Sequence, residues 1–450
     1  MKWSPLFLII LILGAFFAFF TLGRGALIDN DEAFYAQVVR ESVENGNMLT
    51  LTKGGNNWFD KPPLVFWSAI TLVKTFGWSE FLLRLPSAIS LIICLILTYL
   101  IALELTNKKR VAILASLILL TTGLFWEAGR QLRLDVPVTA CVLFSFFSYI
   151  KGLKNPRWFW GIGIGWGFGI MTKSVIGVFS VVPIFLYSLF YKKWDYLKSK
   201  HFYLGIIGGL LIGLPWHIYE WVKYPTDFYN LYIVKFIFTR VHENILGGVS
   251  TNSNYIINLL TYYQPWCIVG FVCAIAVCIW MKSCWSFLKM PVVFMTICAF
   301  LFAIFFVSST KLLYYFIPIY PFVAIFIALS FDSLFIFIET QYPQHKGFLT
   351  FIIVITFVFS TVASLPVTFS FGDNYFSETR GLAEDEKTIG QSVSKSPFST
   401  HIYTDNYFFW DTIAYYSGGR RIQVYNKATA EKPFYLVQYR GDRLLLSYVE

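Results

Sequence analysis

The chain has 450 residues, 56% of them hydrophobic, 20% aromatic and only 14% charged, with a formal net charge of +10. Soluble globular domains carry about a quarter charged residues, so this composition excludes an ordinary soluble protein and points to a polytopic membrane protein. The excess Lys and Arg fall in short loops between apolar segments, which reads as topology and attraction to the bilayer surface and calls for no nucleic-acid partner.

Apolar windows of about 20 residues cross a hydrocarbon core. They predict a mainly α fold of eleven transmembrane helices near 3–22, 84–104, 111–128, 136–150, 158–171, 175–191, 202–221, 257–281, 291–308, 312–336 and 348–366. No small-residue cleavage site follows the first, so it is expected to remain as an anchor. A cytoplasmic N-terminus puts the basic clusters at 108–110, 151–157, 192–200 and 282–289 inside. The same alternation puts 23–83, the RQLRLD loop (130–135), the 172–174 turn, the 222–256 loop, the 308–311 turn and everything after Pro366 outside. The seven cysteines lie in spans or near their ends without metal-type spacing and read as packing residues.

The polar stretch 23–83 is far longer than a connection between two spans requires, which marks it as a working surface. Within it, Asp29 and Glu32 can cap a helix that runs to about Asn45 and stops at Gly46. Tyr35, Ala36, Val39 and Val43 share one face of that helix, predicted to lie on the membrane interface with Asp31 and Arg40 available above it. Asp60 and Lys61 follow, before Pro62 and Pro63, and Arg84 heads the next span. The tail, 369–450, reads as a small extracytoplasmic α/β domain, with strands in FSTHIYTD, RRIQVY and PFYLVQY and a helix in NYFFWDTIAYYSG closed by Gly418. At about eighty residues it is expected to lean on the membrane part or the outer loops. The expected division is a membrane domain over 1–368, with 23–83 as its catalytic loop, and the tail domain over 369–450.

Ionisable residues near membrane depth cost on the order of 2.5–3.5 kcal/mol each and mark functional sites. Here Asp31, Asp60, Lys61, Arg84, Arg130, Arg133, Asp135, Lys173 and Lys311 all fall on the outer face. Glu32 alone could serve only the helix dipole, and Arg84, Lys173 and Lys311 could snorkel. As a set, they suit a phosphate-bearing lipid: the cations grip phosphate and a carboxylate acts as base or metal ligand. The residues leave two readings open, an enzyme acting on lipid-linked sugars and a transporter or flippase using the same charged cavity without chemistry. The lack of an internal repeat and the weight of polar sequence on one face favour the enzyme.

The ordered motifs resemble a family. They are Asp31 with E-x-x-Y-A-x-x-x-R-E (Glu32, Tyr35, Ala36, Arg40, Glu41), Asp60-Lys61-Pro62-Pro63-Leu64 with Trp67, E-F-x-x-R-L-P-S from Glu80 to Ser87, Arg133-x-Asp135, Gly167 to Lys173, and K-x-x-Y-Y-x-x-P-x-Y-P from Lys311 to Pro321. Together they resemble the GT-C type membrane glycosyltransferases, specifically the bacterial lipid A aminoarabinose transferases and the protein O-mannosyltransferases. The resemblance implies a multi-pass inner-membrane enzyme with its active site on the periplasmic side. It implies a polyprenyl-phosphate sugar donor, inverting transfer, and a lipid A, other glycolipid, glycan or protein acceptor. Carried over by position, Asp31 is the principal catalytic acid, with Glu32 and Asp135 beside it. Lys61, Arg84, Arg133, Lys173, Lys311, Tyr35 and Tyr314 are expected to bind substrate. Asp60 is the expected position for a divalent metal, the only cofactor implied; the usual residue there is Glu, one methylene longer.

Overall fold

A computed structural model describes residues 4–28, 31–239, 265–280, 285–309, 312–341, 354–363, 377–397, 400–404, 410–426, 430–440 and 443–449, with isolated positions between. The chain is a polytopic, mainly helical membrane protein. Among the described residues, five helices are long and apolar enough to cross a membrane: Glu80–Thr106, Pro156–Val178, Lys200–Lys223, Leu288–Val307 and Tyr314–Gln341. Lys109–Leu120 and Gly123–Gly129, which meet at 69°, make a sixth candidate span when taken as one bent pair. Within the expected spans near 3–22, 175–191 and 348–366, the described residues form the apolar helices Pro5–Phe19, Val181–Tyr191 and Val354–Ala363.

In chain order the helices that position the site are α1 (Pro5–Phe19), α2 (Asp31–Glu44), α3 (Leu64–Phe76), α4 (Glu80–Thr106), α5 (Lys109–Leu120), α6 (Gly123–Gly129), α7 (Asp135–Gly152), α8 (Trp160–Lys173), α9 (Val181–Tyr191) and α10 (Lys200–Lys223). α1 leaves Leu6, Ile9, Ile12 and Phe16 exposed, as a lipid-facing helix does. α8 and α10 cross with backbone against backbone: a Cβ on Gly163 would stand 2.2 Å from Gly205 O, and one on Gly167 2.5 Å from Gly209 O. Glycine at these positions is therefore a packing requirement, the small-residue contact that lets membrane helices approach closely.

α2 ends as its sequence predicts: Asn45 N donates to Glu41 O at 2.9 Å and Gly46 takes φ +68°. Its apolar face does not lie on the membrane interface, however. Ala33, Tyr35, Ala36, Val38 and Val39 pack with Val65, Phe66, Ala69, Ile70 and Val73 of α3 and with Tyr415 of the tail. Arg40 is not held available either, since its guanidinium lies 4.6 Å from the ring centroids of both Trp78 and Tyr415. Burying that apolar face against protein removes more surface from water than a wet interface would.

Between α2 and α3 a hairpin pairs β1 (Thr52–Lys53) with β2 (Asn56–Asn57). Gly54 and Gly55 turn it with φ +60° and +75°, the left-handed pair of a two-residue hairpin. The tail holds a four-stranded sheet in the order β4 (Ile422–Val424), β3 (His401–Thr404), β5 (Phe434–Arg440), β6 (Arg443–Val449). The β3–β4 and β3–β5 pairs are parallel, and β5–β6 is antiparallel. Two tail helices, Ser377–Ser394 and Asp411–Tyr416, pack on it. The second is the described part of the predicted helix, and Gly418 closes it with φ +85°. β6 and the Ser377–Ser394 helix were not predicted.

The tail packs on the 23–83 loop and the start of α4. Lys387 Nζ meets Glu80 Oε1 at 2.9 Å, the Tyr416 hydroxyl donates to the same oxygen at 2.9 Å, and Lys53 Nζ meets Asp411 Oδ1 at 2.8 Å. Ala26 N donates to Glu384 Oε1 at 2.7 Å, and the Thr412 hydroxyl donates to Leu27 O at 3.1 Å.

Candidate active site

The loop between α6 and α7 carries the centre of the site. Ser87 of α4 holds that loop by its backbone, accepting from Arg133 N at 3.2 Å and donating to Arg133 O at 2.9 Å. The backbone so fixed aims the Arg133 side chain at two carboxylates. Arg133 Nη2 meets Asp31 Oδ2 at 2.6 Å, and Arg133 Nε meets Asp135 Oδ2 at 3.1 Å. Lys173, at the C-terminus of α8, bonds the other oxygen of Asp135. Beneath the guanidinium lies the ring of Tyr314, 3.5 Å from Arg133 Cζ to the ring centroid, and Lys173 Nζ stands 5.5 Å from the Tyr315 centroid.

Four of the groups predicted from sequence therefore form one chain, Asp31–Arg133–Asp135–Lys173, with Tyr314 stacked on Arg133. Burial separates their roles. The side chains of Arg133 and Asp135 are 5% and 4% exposed, whereas Asp31 is 39% exposed and reachable by a substrate. Burial alone would lower the Arg133 pKa, but the Asp31 and Asp135 carboxylates raise it above the ordinary arginine value, so the guanidinium is a permanent cation. The ring of Tyr35 meets Phe66 edge-on at 5.3 Å.

Glu32 and Arg84 form a second, separate unit. Arg84 Nε and Nη2 meet the two oxygens of Glu32 at 2.7 and 3.2 Å, and Arg84 also donates to the backbone oxygens of Leu22, Arg24 and Ala26 at 3.0, 2.9 and 3.0 Å. Glu32 in turn accepts from Ile28 N at 2.9 Å and Leu132 N at 3.3 Å. A carboxylate so fully engaged, with 1% of its side chain exposed, ties the start of α2, the loop before it and the Arg133 loop into one rigid piece.

Asp60 and Lys61 sit on the turn before α3. Phe59 anchors that turn in an aromatic box of Trp216, Phe228 and Tyr232, with Met171. Lys61 Nζ lies 5.0 Å from the Phe236 centroid. Among the described residues no group of three or more His, Cys, Asp or Glu side chains converges. Lys311 lies outside the described residues.

One feature was missed from sequence. His217 Nε2 shares a hydrogen bond with the Tyr232 hydroxyl at 2.8 Å, and that hydroxyl also bonds Ser174 Oγ. Ser174 follows Lys173 directly and holds φ +53°, a strained value for a residue with a side chain. The chain of hydroxyls and imidazole therefore clamps the backbone that delivers Lys173 to Asp135. Its members are 15 and 58 residues apart in sequence, so no local pattern announces them.

The sequence profile of the dolichyl-phosphate-mannose-protein mannosyltransferase family matches residues 60–219. An uncharacterized protein of Aquifex aeolicus is 27% identical over 329 residues, 72% of this chain and 63% of that one. The undecaprenyl phosphate-alpha-4-amino-4-deoxy-L-arabinose arabinosyl transferase 2 of Proteus mirabilis is 26% identical over 312 residues, 66% of this chain and 54% of that one. The chain thus spans between half and two thirds of the length of these relatives. In fold it is similar to the crystal structure of ArnT from Cupriavidus metallidurans bound to undecaprenyl phosphate, with a TM-score of 0.73 at 18% identity, covering 98% of this chain and 97% of that one. In sequence and in fold the chain resembles the GT-C type membrane glycosyltransferases, on the side of the aminoarabinose transferases and the protein O-mannosyltransferases.

Proposed function

We propose that the protein transfers a sugar from a polyprenyl-phosphate donor to an acceptor hydroxyl or phosphate on the extracytoplasmic face of a bacterial inner membrane. The observation that carries this reading is Asp31, an exposed carboxylate held by one oxygen on a buried, permanent cation. Arg133 orients it and leaves the second oxygen for an acceptor. For an acceptor hydroxyl, Asp31 takes the proton while the acceptor oxygen bonds the anomeric carbon, the bond from that carbon to the phosphate oxygen breaks, and polyprenyl phosphate leaves with the electron pair. Attack from the face opposite the leaving group inverts the configuration. Lys61, on its proline-fixed turn, together with Lys173, offsets the charge that develops on the phosphate. Asp135 keeps both Arg133 and Lys173 in place. Acceptors consistent with the relatives are lipid A, another glycolipid, a glycan or a protein.

The eleven-span topology and the division at 368/369 belong to the same proposal, supported by where the charges sit on the long helices. α4 carries Arg84 near its start and Glu104 about 30 Å further on. There Glu104 pairs with Lys151 and Lys154 at 2.8 Å each, at the end away from the Asp31 cluster. Basic residues gathered at that end suit the cytoplasmic side.

Asp31→Asn tests the reading. Purified variant given a polyprenyl-phosphate sugar should bind donor and melt like the parent, while transfer falls about 10²–10⁴-fold, the usual contribution of a general base. Undiminished transfer would remove Asp31 from the chemistry, and a parent that only moves intact donor across proteoliposomes would make the protein a carrier.

A further inference from the structure

A cavity apart from the Asp31 cluster lies between α2, the β1–β2 turn and the tail, with a volume of ≈ 640 Å³. That is within the usual range of small-molecule sites, which favour the seams between structural units. The α2 wall presents Gln37, Glu41 and Glu44, one stripe of the helix. Gln37 is 3% exposed, and its Nε2 donates to Glu41 Oε1 at 3.0 Å while its Oε1 has no partner. Glu41 is itself fixed, accepting from the backbone N–H of Gly54 at 2.8 Å and Gly55 at 3.1 Å. The tail contributes Trp410, Asp411 and the exposed Arg421.

The chemistry of these walls selects a ligand class. A phosphate site would gather cations alone, and an acyl-chain site would be apolar. Here carboxylates and cations share the walls with one indole, the arrangement that takes a polyhydroxylated ring: hydroxyls donate to the carboxylates, and a C–H face packs on Trp410.

We propose that this cavity binds a sugar residue of the acceptor, so that the acceptor is a glycan or glycolipid and not a bare protein hydroxyl. The proposal rests on the transfer reading above. Glu41 is ten residues along α2 from Asp31, about 15 Å at the helical rise. A sugar held there is not the one that reacts; it is a distal unit by which the acceptor is chosen and aligned.

The test reads binding without donor. Full-length protein in nanodiscs, free of sugar-headed detergent, is mixed with glucose, galactose, mannose or N-acetylglucosamine at millimolar concentration and measured by saturation-transfer NMR. At least one hexose should receive saturation from the parent, and the signal should drop at least fivefold in Trp410→Ala and Arg421→Ala. Arg421 is exposed, so its removal leaves folding intact should Trp410→Ala disturb the tail. In transfer assays the same variants should raise the acceptor KM with donor hydrolysis unchanged. No transfer to any hexose, a signal unchanged in both variants, or displacement of the hexose by inorganic phosphate would each overturn the proposal. A parent that binds hexose here yet transfers nothing would sink the transferase reading alone. One that transfers sugar but binds no hexose would sink this subsite alone.

Discussion

Arg133→Lys separates the geometry of the Asp31–Arg133–Asp135 fork from its charge. Arginine reaches both carboxylates at once, through Nη2 at 2.6 Å and Nε at 3.1 Å. A lysine ammonium is a point charge on a shorter reach and serves one of them. Asp135 is buried and Asp31 is not, so the ammonium remains with Asp135, where an uncompensated charge costs more, and Asp31 is released. A hydrogen bond between charged groups contributes about 1.5–3 kcal/mol. At about 1.4 kcal/mol per factor of ten, turnover should fall roughly 10–150-fold. The assay is transfer of sugar from a polyprenyl-phosphate donor followed by mass spectrometry, with donor affinity and melting temperature measured alongside. Donor affinity should hold within a few-fold and melting should shift by only a few degrees. Turnover within twofold of the parent would refute the orienting role of Arg133, and a loss confined to donor affinity would make it a binding residue.

Tyr232→Phe keeps the ring among Trp216 and Phe228 but removes the hydroxyl that joins His217 to Ser174. Turnover should drop about tenfold through misplacement of Lys173, with unchanged melting, and parental kinetics would exclude the clamp. In the tail, burial first, then the neighbouring Asp411 and Asp385 carboxylates, push the Glu386 pKa up to about 8 against a partial offset from the Thr412 hydroxyl. The folded tail therefore holds a proton that the unfolded chain gives up near pH 4–5, so stability falls as pH rises from about 5 through 8, by an amount on the order of a few kcal/mol. Protection factors over Ser377–Ser394, with the intrinsic pH dependence of exchange divided out, should fall across that window in the parent and stay flat in Glu386→Gln; equal profiles would exclude this linkage. Cysteine labelling from outside intact cells should reach the tail and miss 192–200, and a cytoplasmic tail would break the eleven-span topology.

The apolar windows and the Gly46 stop of α2 are properties of short stretches, set by hydropathy and backbone sterics, and each could be read before any fold was known. The grouping of Asp31, Arg133, Asp135 and Lys173 was legible only as a tendency, because ionisable residues are costly near membrane depth and gather where they are used. Their partners were not legible. Nothing local tells that Glu32 and Arg84, 52 residues apart, close on each other while Asp31, one residue away, faces Arg133.

Sequence by itself determined that the chain crosses the membrane, which loops carry its charge and which residue types could handle a lipid phosphate, since these follow from transfer free energies and motif spacing. Tertiary structure alone decided that α2 buries its apolar face against α3 and the tail, that Arg40 stacks between two aromatic rings, and that Tyr232 clamps Ser174. Those outcomes depend on which surfaces meet across tens to hundreds of residues. Packing, and the need to satisfy every buried polar group at once, chooses among pairings that the local sequence leaves equal.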